Sequence, residues 1–438
     1  MRNDYDVIVA GAGVSGICAA LAARRQGASV LLVEKSGLTG GAITQAHINA
    51  PAMFNAWGRQ IIGGIGWELV TKTLIEEGKP VPDVAAMDAN DHVGSALWIN
   101  PLLFSAICDE ALIQEGVDIS LHSMPSRIVA NAEAGNWLLS LITKEGPLEL
   151  HSRMLIDCTG DADLARLAGF PCIPYEGTQP GTLSFQISGF DKEALDYEAL
   201  GNALKDAVEH HELETGDVWW CGQALPAQNA SRANMWRMFL ERQGMNANHV
   251  SLGNPDDSGS RTRFELEGRA SVLRLWRFLK RQPGFSNVQF ELRSPECGCR
   301  ESRRVLTEEI VTGEQYRSGF RFPETVAHSF YPIDLHDDIC GLKVERLREG
   351  VIPSVPRGAL IPRGSKGFLV AGRIIGSDRE ANSALRIQAT CMATGQAAGV
   401  LAALTVAQFN AAQGMPDARE VPYPTLRDAL LKQKAILL

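Results

Sequence analysis

Residues 9–16 read VAGAGVSG, and this short glycine-rich stretch decides the fold of the chain. The apolar run Tyr5–Ala10 that leads into it predicts a buried β-strand, and the run ICAALAARRQ that follows predicts a helix that ends at Gly27. Residues 29–34, SVLLVE, predict a second buried strand. The glycines therefore lie between a strand and a helix in a β-α-β unit of roughly 30 residues, which is the context of a dinucleotide-binding loop.

The glycines have the G-x-G-x-x-G spacing, and each has its own task in such a loop. Gly11 permits the tight turn, Gly13 lets a pyrophosphate approach the backbone, and Gly16 lets the helix pack on the strand. Free N–H groups at the helix N-terminus then face the phosphates. Glu34 ends the second strand, where a carboxylate accepts hydrogen bonds from ribose hydroxyls and repels a 2′-phosphate. We predict a dinucleotide without that phosphate, held by Gly11, Gly13, Val14, Ser15, Gly16 and Glu34.

Composition sets the class of protein. The 438 residues predict two domains, and the apolar fraction of 45% is typical of globular chains. A net charge of −9 disfavours nucleic acid as a partner. Nine scattered cysteines indicate reduced thiols, and the immediate entry into a strand leaves no room for a signal peptide, so we expect a cytoplasmic protein. Residues 387–413 carry no charge and contain Gly395-x-x-x-Gly399, which we interpret as a buried, closely packed helix and not a membrane span.

Further along the chain, buried strands are predicted at 154–158 and 367–372, and a long helix at 384–405. The first of these strands ends in Thr159-Gly160-Asp161. Residues from about 170 to 300 have a different texture, rich in Trp and polar residues and without glycine motifs. We expect an α/β fold with a discontinuous nucleotide-binding domain (1–168 and 296–438) and an inserted mixed α+β substrate or cap domain (169–295).

Three features together resemble a known family. Glu34-Lys35 is followed by Gly40-Gly41, the strand at 154–158 ends in Thr159-Gly160-Asp161, and GFLVAGRIIG (367–376) precedes SALRIQATCMATGQAAG (383–399). This order resembles the FAD-dependent oxidoreductases of the glutathione-reductase-like superfamily, related to the fumarate-reductase flavoprotein branch, over residues 1–170 and about 295–405. The resemblance implies FAD on a Rossmann-like domain. It also implies cofactor contacts from Lys35, Gly40, Gly41, Thr159, Gly160, Asp161, Gly372, Arg373, Ala384 and Leu385.

The sequence lacks the features that would indicate a pyridine-nucleotide disulfide reductase or a metal site. No second G-x-G-x-x-G lies between a strand and a helix in the middle of the chain, where a pyridine-nucleotide disulfide reductase carries its NAD domain. Cys297-Gly-Cys299 is not a redox C-x-x-C, and it has no second cysteine pair or nearby histidine for a metal. We therefore predict no metal, and the electron donor or acceptor stays open.

The densest polar segments of the chain are CGCRESRRV (297–305) and FPETVAHSFYPIDLH (322–336). Their RESRR run and Pro-Ile-Asp-x-His element resemble elements of the same family. We predict Arg300 and His336 as catalytic residues at the flavin ring, one holding an anionic or enolic oxygen and the other transferring a proton. Tyr331 is a second proton-transfer candidate. The alternative is a buried network, with Glu301 and Asp334 as carboxylate partners, that joins the domains; it suits Arg303 and Arg304 better.

Several single residues have two interpretations. His47 follows the Gly-Gly turn; the resemblance to the fumarate-reductase branch implies a covalent bond to the flavin as one interpretation, and a place beside the flavin without a bond is the other. Ser15 contacts phosphate or is only a first-turn residue of the helix. Arg373 lies near the flavin or its phosphates, or pairs with Asp378 or Glu380. The tryptophans line an apolar pocket over the flavin or pack in the core: Trp57, Trp67, Trp98, Trp219 and Trp220.

The sequence thus predicts an FAD enzyme that transfers a hydride between flavin and a small organic substrate, by C–H or C–OH oxidation or C=C reduction. Three alternatives stay open at this point: a flavin monooxygenase or halogenase, a non-catalytic flavin-binding component of an electron-transfer complex, and an NAD-dependent dehydrogenase. We expect a small-molecule substrate, no nucleic acid and no membrane, and the sequence leaves a homo-oligomer open.

Overall fold

The computed structural model describes residues 2–88, 91, 94–174, 177, 179–218, 239–240, 248–251, 256–337, 341–409 and 414–438. The helices are Val14–Arg25 (α1), Ala42–Gln45 (α2), Gly64–Glu76 (α3), Pro101–Glu115 (α4), Asp163–Leu167 (α5), Tyr197–Glu209 (α6), Ser258–Lys280 (α7), Gly313–Ser318 (α8), Arg379–Leu385 (α9), Gln388–Ala407 (α10) and Tyr423–Lys432 (α11). The strands are Asp4–Ala10 (β1), Val30–Val33 (β2), Asn55–Ala56 (β3), Arg59–Gln60 (β4), Asp118–Ser120 (β5), Met124–Asn131 (β6), Asn136–Thr143 (β7), Gly146–Asp157 (β8), Cys172–Ile173 (β9), Phe185–Ser188 (β10), Gln289–Leu292 (β11), Arg304–Val305 (β12), Thr325–His328 (β13), Ile333–Asp337 (β14), Gly341–Glu345 (β15), Ser354–Pro356 (β16) and Phe368–Val370 (β17).

The main sheet has seven strands in the order β5-β2-β1-β8-β7-β6, with β17 also paired to β8. Strands β5, β2, β1, β8 and β17 are parallel, whereas β8, β7 and β6 form an antiparallel meander. The long strand β8 joins the two parts, because its first half pairs with β7 and its last residues pair with β17. The expected α/β architecture with a Rossmann-like β-α-β start is confirmed.

Alternate residues of the parallel strands point into two separate cores. Val7 and Val9 of β1 face a large core that includes α1, α3, α4 and α10. Ile8 and Ala10 face a second core that includes α5 and the inner side of the meander. Both faces are covered, which explains why these strands read as continuous apolar runs without polar alternation.

Helix α10 is the central helix of the larger core, and its glycines are contact points with α1. A Cβ on Gly395 would lie 2.1 Å from the carbonyl oxygen of Ser15, and one on Gly399 would lie 2.1 Å from that of Ala19. Among the described residues, α10 is the one helix long and apolar enough to cross a membrane, and 83% of that window is buried inside the protein. The prediction of a buried, closely packed helix is confirmed.

A third core lies in the segment predicted as the inserted domain. Apolar side chains of β10, β11, α6 and α7, such as Phe185, Leu200 and Phe278, pack together there. Strands β10 and β11 pair antiparallel and do not join the main sheet. A separate core of this kind supports an inserted unit, whereas the domain boundaries stay a prediction.

The prediction of one helix over 384–405 is wrong, because the structure has two helices there. Helix α9 begins at the N-cap Asp378, whose side chain accepts from the N–H of Ala381, and it ends at Leu385. The backbone of Ile387 is extended, and α10 begins after it. The side chain of Arg386 donates to the carbonyl of Ser383 at 3.1 Å and so satisfies a free carbonyl at the end of α9.

Candidate functional site

Four parallel strands of the main sheet end at the same level. Ala10 of β1 is paired with Val33 of β2 and with Asp157 of β8, and Asp157 is paired with Val370 of β17. We call these four residues the strand-end row. The segments that follow them therefore emerge together at the carboxyl edge of the sheet, which is where open α/β sheets bind ligands. Gly11, Glu34, Thr159 and Gly372, one from each segment, lie one or two residues after the strand-end row.

The loop after β1, residues 11–16, has the geometry of a phosphate loop. Gly11 has φ +97°, and a Cβ there would lie 2.5 Å from the carbonyl oxygen of Cys158. A Cβ on Gly41 would lie 2.7 Å from Cα of Gly13, so the Gly40-Gly41 turn rests directly on this loop. By contrast, a Cβ on Gly13 would meet only one atom, at 3.8 Å, among the described residues. The face of Gly13 is thus open, as the close approach of a pyrophosphate requires.

Glu34 directly follows the strand-end row, and its side chain is hydrogen-bonded to the phosphate loop. Its carboxylate accepts from the N–H of Ala12 at 2.7 Å and from the N–H of Ser36 at 2.9 Å. A carboxylate has about four acceptor positions, so acceptor capacity remains for ribose hydroxyls. The residues present therefore fit the adenosine-ribose end of a dinucleotide.

The Thr159-Gly160-Asp161 turn is held by Asp157, which sequence analysis did not single out. Asp157 is fully buried, and its carboxylate accepts from the N–H and hydroxyl of Thr159 and from the N–H of Ala165. Burial raises the pKa of Asp157 to about 6, although these hydrogen bonds lower it. The signal was available, because an Asp at the end of an apolar strand needs hydrogen-bond donors.

Arg373 lies three residues after the end of β17, and its side chain binds the same turn. Its guanidinium pairs with Asp161 at 2.7 Å, donates to the carbonyl of Gly160 at 2.8 Å, and donates to the carbonyl of Cys299. The alternative pairing with Asp378 or Glu380 is not the one observed. Asp378 instead caps α9 and accepts from the N–H of Gly313, while the carboxylate of Glu380 pairs with Arg317 and Lys343.

Four further residues are predicted as cofactor contacts: Gly372, Lys35, Ala384 and Leu385. Gly372 touches the phosphate loop, because a Cβ there would lie 2.6 Å from the Ser15 hydroxyl. Lys35 is exposed beside the loop, with its ammonium group 3.7 Å from Glu296. Ala384 and Leu385 are fully buried at the end of α9. The roles of all these residues toward FAD stay predictions.

His336, one of the two predicted catalytic residues, contacts partners from distant parts of the chain, and the charge of Arg300, the other, acts on His336 and on Asp334. Nε2 of His336 lies 3.3 Å from the carboxylate of Asp334, and its Nδ1 lies 3.3 Å from Nε2 of His249. Arg386 reaches the backbone carbonyl of Asp334 at 3.3 Å. We call Arg300, Asp334, His336, His249 and Arg386 the histidine–arginine cluster.

Burial and charge set the protonation states in this cluster. Burial and the Arg300 charge lower the pKa of His336 to about 4, although Asp334 raises it, so His336 is neutral at neutral pH. Burial and the Arg386 charge lower the pKa of Arg300 to about 10, so Arg300 stays a cation. Burial opposes ionisation of Asp334, but His336, Arg386 and Arg300 together hold its pKa below the usual value. Burial and the Asp334 charge raise the pKa of Tyr331, which stays protonated.

The neighbouring charged residues have structural partners. Glu301 is buried and accepts from Arg379 and from both the N–H and the side chain of Gln179. Arg303 pairs with Asp256 at 3.1 Å and lies 3.8 Å from Asp163, consistent with the network alternative. Arg304 is buried in the short strand β12.

Sequence reasoning missed His249, Arg386 and Gln179. Arg386 lies inside a matched motif as the one charge between Glu380 and residue 413, and that isolation was a usable signal. His249 and Gln179 lie in the weakly matched middle, where nothing in the sequence marked them.

Among the described residues, His47, Trp57 and Trp67 have different neighbours. His47 has φ +53°, and burial together with the Arg293 charge lowers its pKa. Trp57 donates to the carbonyl of Val351, and Trp67 packs edge-on against Phe54, which are core contacts. The Trp98 side chain is 48% exposed, and Trp219 and Trp220 lie outside the described residues.

Cys297 is buried and Cys299 is half-buried, and both are free thiols. Within the described part of the chain, no group of three or more His, Cys, Asp or Glu side chains has metal-site geometry.

Comparisons with known proteins place this arrangement in a family. Similar solved structures include a flavin-dependent brominase, the Bmp2 triple mutant, with 13% identity over 98% of this chain and 86% of that one, at a TM-score of 0.42. AlpK has 14% identity over 99% of this chain and 70% of that one, at a TM-score of 0.36. The OxyS anhydrotetracycline hydroxylase of Streptomyces rimosus has 16% identity over 41% of this chain, at a TM-score of 0.29, and the match spans 38% of its own length.

No curated protein matches the sequence. The family model described as FAD dependent oxidoreductase, however, matches residues 6–430, nearly the whole chain. FAD is the cofactor of that family, and the open face of Gly13, the spare acceptor capacity of Glu34 and the cations around Asp161 fit it. The chain therefore belongs to the FAD-dependent oxidoreductase family, and it is an enzyme.

Proposed function

We propose that this enzyme transfers a hydride between FAD and a small organic substrate that carries an anionic or enolic oxygen, and that the histidine–arginine cluster is its substrate site. The observation that carries the proposal is the position of residues 299 and 300. The carbonyl of Cys299 is bound by Arg373, which also binds the Gly160-Asp161 turn, and the next residue is Arg300 of the cluster. The cluster therefore begins where the cofactor site ends.

Bound FAD supplies the hydride acceptor or donor. The chain's own residues supply charge and a proton. Arg300 is a fixed cation with a planar fork, so it suits an oxygen that is negative or becomes negative during the reaction. His336 is neutral, so one of its ring nitrogens accepts a proton, and Asp334 stabilises the imidazolium that forms.

Substrate binding changes the basicity of His336 in a useful direction. The Arg300 charge is one of the two main causes of its low pKa. An anionic group paired with Arg300 cancels part of that charge and raises the pKa of His336 toward neutrality. His336 then becomes a better base only when substrate is present.

For the cofactor, we propose the extended binding mode of the glutathione-reductase-like flavoproteins. The phosphate loop would hold the pyrophosphate, Glu34 the ribose, and the Thr159–Asp161 turn with Arg373 the middle of the molecule. The segment 169–295 would cover the substrate side, because residues 179 and 249 from it contact His336.

The test has two anaerobic arms, both followed in a stopped-flow spectrometer. In the first, small hydroxy acids and enols reduce the oxidised flavin; in the second, small keto acids and unsaturated acids reoxidise the reduced flavin. Once a substrate is found, Arg300→Gln and His336→Gln should each slow the flavin step by about 10²-fold or more while FAD stays bound. Arg346→Gln is the control, because it removes an exposed arginine charge just after the β14–β15 hairpin.

Three results would contradict the proposal. The first is reduction by substrate at an unchanged rate in both variants. The second is a reaction that proceeds only with O2 and places its oxygen in the product, which would indicate a monooxygenase. The third is an FAD-loaded protein whose flavin neither substrates nor dyes reduce or reoxidise, which would indicate a non-catalytic component.

A further inference from the structure

The long helix α7 belongs to the inserted segment, yet one of its side chains reaches the cofactor side of the protein. Arg261, in the first turn of α7, donates through Nη2 to the carbonyl of Cys297 at 3.2 Å. The same nitrogen lies 3.6 Å from the carboxylate of Glu296, and Nε lies 3.6 Å from that of Glu265. The guanidinium also lies over the ring of Phe264, with its carbon 5.6 Å from the ring centroid.

Three cations from different elements converge on Asp161. Lys35 follows β2, Arg373 follows β17, and Arg261 comes from outside the main sheet. Burial opposes the ionisation of Asp161, but the charges of Arg373, Arg261 and Lys35 hold its pKa below the usual value. Asp161 itself lies in the turn after the strand-end row, beside the loop that faces a pyrophosphate.

One nitrogen of Arg261 is left over in this arrangement. Nη1 is fully buried and has no hydrogen-bond partner among the described residues. A buried donor without an acceptor costs free energy, and a guanidinium that has already paired with two carboxylates still carries two N–H groups on that nitrogen. An acceptor supplied by a ligand would remove this cost.

We propose that Arg261 binds a phosphate oxygen of the FAD pyrophosphate through Nη1, so that the inserted segment completes the cofactor site. A pyrophosphate carries two negative charges, and the guanidinium fork matches phosphate geometry better than any other side chain. The sheet supplies backbone N–H groups at the phosphate loop, and α7 supplies the facing cation. The bound cofactor therefore also joins α7 to the nucleotide-binding part of the chain.

The test measures cofactor binding with and without the flavin half. Affinities of the apoprotein for FAD and for ADP, which has the pyrophosphate and adenosine but no flavin, are compared in Arg261→Gln and in wild type. The dissociation constants for both ligands should rise about tenfold to hundredfold, as expected for one charged hydrogen bond. Arg263→Gln is the matched control, because Arg263 is exposed on the same helix and donates to the hydroxyl of Ser260; both constants should stay within about twofold.

A purely structural role would give a different pattern. In that case Arg261→Gln would lower the melting temperature of the apoprotein and leave the FAD and ADP constants unchanged, which would overturn the proposal. A loss of FAD affinity with unchanged ADP affinity would also overturn it, because the contact would then lie on the flavin half. If the Gln variant does not fold, Arg261→Lys retains one point charge, and both constants should rise about threefold to tenfold.

Discussion

Replacing Gly395 by alanine tests whether the packing of α1 on α10 shapes the cofactor site. The added Cβ would lie 2.1 Å from the carbonyl oxygen of Ser15, whereas ordinary contact begins at 3.4 Å. The helices must therefore separate by about 3.4 − 2.1 = 1.3 Å at this point. Overpacking of this kind costs about 1–3 kcal/mol, and the higher helix propensity of alanine returns about 1 kcal/mol. We expect a net loss of about 0–2 kcal/mol in the free energy of unfolding.

The displacement should also reach FAD. Ser15 lies in the phosphate loop at the start of α1, and its hydroxyl is close to Gly372. A shift of about 1 Å in this loop lengthens its hydrogen bonds to a pyrophosphate, so the dissociation constant for FAD should rise about tenfold. Urea unfolding of the apoprotein measures the first effect, and flavin fluorescence titration measures the second.

A double variant sharpens the test, because Gly399 meets Ala19 at the same 2.1 Å one helical turn further along. One parallel shift of α10 relieves both clashes. The loss for the double alanine variant should thus be smaller than the sum of the two single losses. Gly259→Ala in α7 is the control, because its Cβ would meet only the ends of flexible side chains, the nearest at 3.2 Å. Unchanged stability and FAD affinity in Gly395→Ala, or fully additive losses, would refute this reasoning.

Two further predictions use other residues. Burial, with smaller effects of Arg321 and Arg59, lowers the pKa of His328 from 6.5 to about 4. Between these two pH values the unfolded chain binds a proton that the folded protein excludes. The free energy of unfolding therefore falls as the pH drops from about 6.5 to 4. This residue alone should cost about 2 kcal/mol at pH 5 relative to pH 8, and urea unfolding at both values should show a smaller difference in His328→Gln; an equal difference would contradict the assignment. Glu34→Gln loses a carboxylate oxygen that accepts from the N–H groups of Ala12 and Ser36, and it also loses the charge predicted to face the ribose. The FAD dissociation constant should therefore rise about tenfold or more. An unchanged FAD titration would contradict the predicted role of Glu34 at the ribose.

The parts of the site that the sequence predicts are those built from local patterns. Gly11 and Glu34 follow directly on apolar runs, and Asp161 lies three residues after another. A parallel sheet brings the ends of such runs to one edge whatever happens elsewhere. The apolar strands, the glycine spacing and the adjacent acid could therefore be interpreted without knowledge of long-range contacts. The pairing of Ala10, Val33, Asp157 and Val370 in one row then follows from the topology.

The parts that could not be predicted depend on contacts between distant residues. His336 meets His249 across 87 positions, and Arg373 meets Asp161 across 212. Neither partner has a local pattern that identifies the other. The break between α9 and α10 depends in the same way on Arg386, whose side chain turns back to Ser383 and toward Asp334.

Charge balance explains how so many cations are accommodated beside a site for an anionic cofactor and substrate. A buried cation is tolerated only when carboxylates and carbonyl oxygens replace its water. Here each carboxylate is shared: Asp161 pairs with Arg373 within the field of Arg261, and Asp334 lies between His336 and Arg386. Nη1 of Arg261 is left without a partner among the described residues, and in our proposal a phosphate engages it without breaking the existing pairs. Burial and the Arg300 charge keep His336 neutral. In the function proposed above, an anion paired with Arg300 raises the pKa of His336, so proton transfer at the cluster depends on ligand binding.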